Sequence, residues 1–302
     1  MDTDRSTGKE AETSLLNCAN DNEFSPRFTP VRWLELNSGA TRVKRSKERS
    51  KPDELWHGDA FDPLQPDDPA IAVYLRLGGA GALVAELVCG CMARALGLPA
   101  PEVFIVSVRP GALRRSRLAS KDVDTLCVAT RDVGGDTFTQ LLNDDDDAAV
   151  LLLRDWADLN KVAAFDEWTA NPDRNMGNLI YAAQTLYIID HADAFGGHGQ
   201  TANGLKELTE QMFSNKLADL LNVFDVAKRS AMLGEIERWV TASAAQLDLP
   251  KIISSAGALP WSNVNHDKEL VDFLTQRLTV THSLLCHRLG HPQLGLKAQQ
   301  SH

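Results

Sequence analysis

Apolar residues set several distinct rhythms along the chain. Ile71–Leu77 (IAVYLRL) is rich in β-branched and aromatic residues and predicts a strand, broken by Gly78-Gly-Ala-Gly81. Leu83, Val84, Leu87, Val88, Cys91, Met92 and Ala95 then recur at helical spacing. Gly97 is placed to end that helix in a left-handed conformation, and Pro99 prevents its return. Val103–Val108 and residues 125–129 predict two more strands, giving a strand–helix–strand–strand order. Upstream, short alternation around Ser38-Gly39 predicts a hairpin or a glycine turn within 32–43. Residues 44–68, rich in charge and proline, predict a long loop.

The second half reads as mainly helical. One long apolar helix is expected over 148–168, with the acidic run Asn143-Asp-Asp-Asp-Asp147 complementing its N-terminal dipole. Two short strands, Leu179–Ala182 and 186–190, follow with a turn between them. Further helices are expected over 205–221, 226–247 and 266–289. Residues 1–25 are polar and acidic, and predict a disordered tail.

Composition narrows the function classes. A chain of 302 residues with 43% apolar content can bury the core of a two-lobed enzyme or of two ordinary domains. A net charge of -10 argues against a nucleic-acid partner, which a basic face would attract. Five cysteines, Cys18, Cys89, Cys91, Cys127 and Cys286, form no disulfide framework. That usage, with no signal-peptide core and no apolar run of roughly 18 residues, predicts a cytoplasmic protein without a membrane span.

Candidate chemistry concentrates in Phe165-Asp-Glu-Trp-Thr-Ala-Asn-Pro-Asp-Arg-Asn-Met-Gly-Asn178 and Ile188-Ile-Asp-His-Ala-Asp-Ala-Phe195. Asp173 is followed five positions later by Asn178, and Asp190 closes the next apolar strand. Phosphoryl transfer from a metal-bound nucleotide needs such a set: one acid to orient the acceptor hydroxyl, and an amide oxygen and a second acid to hold magnesium. The plain alternative for Asp173 is a cap or a solvated turn. A calcium loop counted from Asn171 fails, because position six is Met176 and position twelve is Ala182. Cys89-Gly-Cys91 lacks zinc spacing and reads as core packing. His191 and His198 read as loop residues. Neither a GxSxG elbow nor a GxxxxGK[ST] loop occurs.

Asn171-Pro-Asp173-Arg174 through Asn178, with Ile189-Asp190-His191, resembles the catalytic and metal loops of the HipA-like protein kinases and, more remotely, of the phosphoinositide kinases. Glu86, read as opening a helix that ends Ala95-Leu-Gly-Leu-Pro-Ala-Pro101, is similar to that family's N-lobe helix. The likeness covers roughly residues 30–290, with about fifty residues carrying specific motifs. It implies an α+β, bilobal, protein-kinase-like fold with a small mixed N-lobe over 26–130 and a mainly helical C-lobe over 131–295. It also implies ATP and Mg2+ as cofactors and a protein or small-molecule hydroxyl as acceptor, a protein Ser/Thr first among them.

By position, the resemblance gives Asp173 the acceptor hydroxyl, and Asn178 and Asp190 the magnesium. Adenine would meet the backbone near Cys127, Val128 and Ala129 at the lobe hinge, and Glu86 would pair with the phosphate-binding cation. Arg174 would neutralise the acidic cluster or touch a phosphate; the alternative is a surface arginine. That cation is a lysine in the family, whereas this chain has Arg76, and Lys44 or Lys51 are the alternative donors. The departure keeps a second class in view, a pseudokinase acting as a nucleotide sensor or protein-binding module. Aminoglycoside- and choline-type kinases are disfavoured, because they carry His-x-Asp where this chain has Asn171-Pro-Asp173.

Overall fold

The protein is described by a computed structural model over residues 29–43, 53–197, 202–258 and 260–290. The expected tail, Cys18, Lys44, Lys51 and His198 lie outside the described residues.

Five strands close into a barrel. β1 (Arg32–Leu36) runs parallel to β5 (Val103–Val108) and antiparallel to β3 (Glu54–Phe61). β4 (Ile71–Leu77) and β6 (Thr125–Arg131) complete the ring in the order β1-β5-β6-β4-β3 and back to β1. β2 (Thr41–Arg42) pairs only with β3, on the edge that β1 also uses. Ser38-Gly39 is therefore a turn within one interrupted strand line, and the hairpin expectation is corrected. The expected loop over 44–68 is corrected too: β3 occupies its centre. Strand alternation sends Val73, Leu75 and Leu77, Phe104 and Val106, and Cys127 and Ala129 into the barrel. It sends Val103, Ile105 and Val128 outward.

That outer wall is covered by α1 (Ala80–Ala95), whose length is almost wholly buried. Gly97 follows at φ 70°, as the sequence predicts. Glu86 lies in the middle of α1 rather than at its start. Cys89 and Cys91 are buried in its packing, where loss of hydration pushes the Cys91 thiol up to about 12 and Cys89 well above its usual value. Both are inert core residues, as the sequence suggests.

The connection out of the barrel runs through Gly134 and Gly135, both at positive φ, into β7 (Asp136–Thr137). A Cβ on Gly135 would stand 2.1 Å from the Tyr181 carbonyl oxygen, so only glycine passes there. After α2 (Phe138–Asp144), the expected long helix over 148–168 is two: α3 (Asp146–Arg154) and α4 (Leu159–Trp168). Asp145 caps α3 by accepting from the Ala148 N–H, and Asp146 and Asp147 sit in its first turn. β8 (Leu179–Ala182) and β9 (Thr185–Ile188) extend β7 into a three-stranded sheet. The remainder is α5 (Ala202–Leu205), α6 (Lys216–Leu220), α7 (Val226–Ala242), α8 (Leu249–Ser255) and the long α9 (Val264–Arg288). The α8 helix is absent from the sequence reading. None of the helices among the described residues is long and apolar enough to cross a membrane.

One apolar cluster runs from the outer wall of β5 and β6 through α1 to α4, α7, α8 and α9, separate from the barrel interior. The loops carrying Asp173 and Asp190 lie against this shared core.

Candidate active site

The loop after α4 is laced by its own asparagines. Asn171 Oδ1 accepts from the Asp173 N–H at 3.2 Å, and the Asp173 carbonyl accepts from Asn175 Nδ2 at 2.9 Å and Asn178 Nδ2 at 2.7 Å. The last bond directs the Asn178 nitrogen toward Asp173 and leaves Oδ1 as that amide's acceptor. Asn178 ends a 3-10 turn, Met176–Asn178, immediately before β8. Its carbonyl accepts from the Ile189 N–H at 3.1 Å, extending the β8–β9 ladder to the residue before Asp190. Two further backbone bonds, Phe195 N–H to Thr169 and Gly196 N–H to Ala170, close the two loops on each other. Ala170, Asp190 and Phe195 hold left-handed φ values of 49°, 58° and 61°. Such conformations persist only where the surroundings enforce them.

Arg174 ties the two loops together beside Asp190. It is buried, so neither the phosphate contact nor the surface position expected from sequence describes it. Its Nε and Nη2 donate to Asp166 of α4 at 3.0 and 3.1 Å, and Nη1 donates to the carbonyls of Asn178 and Ile189. Nη2 also meets His191 Nδ1 at 3.1 Å. His191 Nδ1 is therefore the acceptor and Nε2 carries the proton. Burial and then the Arg174 charge push the His191 pKa well below its usual value, so this ring stays neutral. Burial raises the Asp166 carboxyl, against the charge and hydrogen bonds of Arg174. His191 is a loop residue, as the sequence suggests, and it is buried beside the acids.

Facing these loops, Arg76 projects from the outer side of β4 into a cage of three acids. Nη2 donates to Asp190 Oδ1 at 2.6 Å, Nη1 to Asp53 Oδ2 at 2.8 Å, and Nε lies 3.7 Å from Glu86 Oε2. Burial works against the charge of Arg76, but the carboxylates of Asp190, Glu86 and Asp53 raise its pKa. Asp53, Asp166 and the Arg174 contacts were missed in the sequence. The one available signal was the pair Asp166-Glu167, two acids set between Phe165 and Trp168 of an apolar helix.

A fork serving three acids cannot be replaced by one ammonium. Arg76→Lys should therefore lower stability by about 2 kcal/mol, the scale of a lost charge-assisted hydrogen bond. Thermal melts should show a midpoint lower by several degrees; a raised midpoint would mean that lysine fits the cage better.

Glu86 Oε2 is buried without a hydrogen-bond partner. Burial, opposed by Arg76 and reinforced by Asp190, raises its pKa from 4.5 to about 7. Raised in the fold, this group contributes stability that is complete below about pH 4.5 and is lost as pH rises through about 7. Glu86→Gln mimics the protonated form. The wild-type melting temperature should accordingly fall relative to that of Glu86→Gln between pH 5 and 7.5, and a constant difference across that range would refute the assignment.

The residues expected to meet adenine sit within a strand. Cys127, Val128 and Ala129 are buried in the middle of β6, whose ladder is paired to β5 on one side and β4 on the other. Val128 and Ala129 pair with both neighbours and Cys127 with β5, and the chain leaves the ladder after Arg131. Beyond it, Asp132 pairs with His57 Nε2 at 2.9 Å. No set of three His, Cys, Asp or Glu side chains arranged for a metal occurs among the described residues. The oxygen donors beside Arg174, the Asn178 amide and the Asp190 carboxylate, nonetheless suit Mg2+, which commonly takes one or two protein oxygens plus substrate phosphates and water.

The profile described as HipA-like kinase matches residues 76–251, more than half of the chain. The protein belongs to the HipA-like kinase family, which places it among kinase-type phosphotransferases. Among solved structures, the crystal structure of a Helicobacter pylori proinflammatory kinase, CtkA, aligns over 88% of this chain and 100% of that chain. Its sequence identity is 12% and its TM-score 0.48. None of the curated proteins matches.

Proposed function

We propose that the protein transfers the terminal phosphoryl group of ATP, with Mg2+, to a serine or threonine hydroxyl of a protein, within a bilobal kinase-like fold. The observation that carries this reading is the linkage of Asp173, Asn178 and Ile189-Asp190 through the Asn178 amide and carbonyl. Asp173 orients the acceptor hydroxyl and takes its proton as the phosphoryl group transfers. Asn178 Oδ1 and the Asp190 carboxylate would hold the ion, which when bound supplies charge neutralisation at the phosphates. Arg76 offers its remaining N–H groups to a phosphate oxygen, and Glu86 stands behind it. Arg174 touches none of the reacting atoms and keeps the two loops in register.

Labelled ATP, Mg2+ and candidate protein substrates test the reading. Label transfer or autophosphorylation by wild type above the level of Asp173→Ala supports it; equal levels remove the enzyme claim.

A second reading is favoured by the 2.6 Å bond between Arg76 and Asp190, which engages a proposed ion ligand with a protein cation. The protein then acts as a nucleotide-sensing or protein-binding pseudokinase. Stabilisation by ATP and Mg2+ without turnover distinguishes it.

A further inference from the structure

Resting on the phosphotransferase reading, we propose that Asp53 is a positioning residue for Arg76, holding one arm of the guanidinium so that Asp190 can give up the other to a divalent cation.

The two terminal nitrogens of Arg76 bond different carboxylates. Nη1 takes Asp53, immediately before β3, and Nη2 takes Asp190, in the loop after β9. The barrel register brings Asp53 there. Glu54 pairs with Leu77, so Asp53 stands opposite Gly78 just beyond the ladder. A Cβ on Gly78 would lie 3.1 Å from the Asp53 Cβ, so the glycine makes room for this approach. The Asp53 side chain is 13% exposed and that of Arg76 7%, so the pair is shielded from water. The family match begins at residue 76, and Asp53 lies outside it.

Ion capture at Asp190 must compete with the guanidinium for the same carboxylate. Releasing a buried cation with no other charged partner is strongly unfavourable. Asp53 lowers that cost, because Arg76 keeps a hydrogen-bonded carboxylate as Asp190 turns away, beyond its longer ion pair with Glu86. Glu86, at 3.7 Å from Nε, is too far to take over the hydrogen bond. Without Asp53, Arg76 closes on Asp190 and the ion competes less well.

The test is a calorimetric titration of the nucleotide-free full chain with Mn2+. Asp53→Asn should weaken Mn2+ binding roughly tenfold, the scale of one charge-assisted hydrogen bond, and raise KM for the metal–nucleotide more than it lowers kcat. In an Arg76→Gln background the same change should alter binding by less than about twofold, since there is no guanidinium left to hold. Arg76→Gln with Glu86→Gln, which removes a buried acid together with its cation, provides a second background if the single change does not fold. An effect of Asp53→Asn that persists undiminished without Arg76 would make Asp53 a direct ligand or a diffuse charge and overturn the positioning role. Wild-type Mn2+ binding that Asp53→Asn leaves unchanged would overturn it as well. A wild type that binds neither Mn2+ nor ATP with Mg2+ removes the phosphotransferase reading itself, before any variant is compared.

Discussion

Replacing Arg174 with leucine should destabilise the protein by about 4 kcal/mol, the range expected when one member of a buried ion pair is removed. The substitution leaves Asp166 buried and uncompensated. It also strips donors from the Asn178 and Ile189 carbonyls and from His191. Arg174→Lys should recover only part of the loss, because one ammonium cannot span Asp166, two carbonyls and an imidazole at once. Chemical denaturation of the three proteins measures this. A loss below about 1 kcal/mol for leucine would show that the loops hold their arrangement without the arginine.

The second large effect separates binding from turnover. Asp190→Ala should abolish Mg2+-dependent ATP binding, whereas Asp173→Ala should leave binding within a few-fold and reduce phosphoryl transfer by about 10^3. On the proposed reading, Asp190 would supply a carboxylate to the ion in both the ground and the transition state. Asp173 would act on the acceptor hydroxyl, so its contribution would appear when the proton moves. Calorimetric titration with ATP and Mg2+ reports the first quantity and labelled-phosphate transfer the second. Comparable losses of binding in the two variants would refute the division. Asp190→Ala also frees an arm of Arg76, so its melting curve must be recorded alongside.

What the sequence disclosed follows from which physical signal each element carries. β4, β5 and β6 announce themselves because β-branched, aromatic and other apolar residues dominate each run. β3 does not, because Glu54 and Gly58 share a strand face with Trp56 and Ala60, and the opposite face mixes Leu55 with His57 and Asp59. With no contrast between faces, charge and proline around it dominated the reading. α3 and α4 read as one helix because their apolar residues stay in phase across Asp155 to Asp158, where the break occurs. Asp173, Asn178 and Asp190 were legible because five residues of loop and one short hairpin fix their separation within the chain. Arg174 lies in that same stretch, yet its partner Asp166 is in the preceding helix and its burial depends on tertiary packing. Asp53 needed the pairing of β3 with β4, a long-range fact that local pattern does not encode.

The cluster that joins α1, the outer wall of the barrel and the long C-terminal helices bears on how a ligand gets in. Swinging the barrel away from the helices as a rigid shutter would shear through close-packed side chains such as Ile105, Val128 and Val84, each fully buried. Admission of a nucleotide is then cheaper through local exchange, with a guanidinium changing partners and a short loop adjusting. On the proposed reading the site would work less like a jaw than like a keyhole whose tumbler is a single side chain.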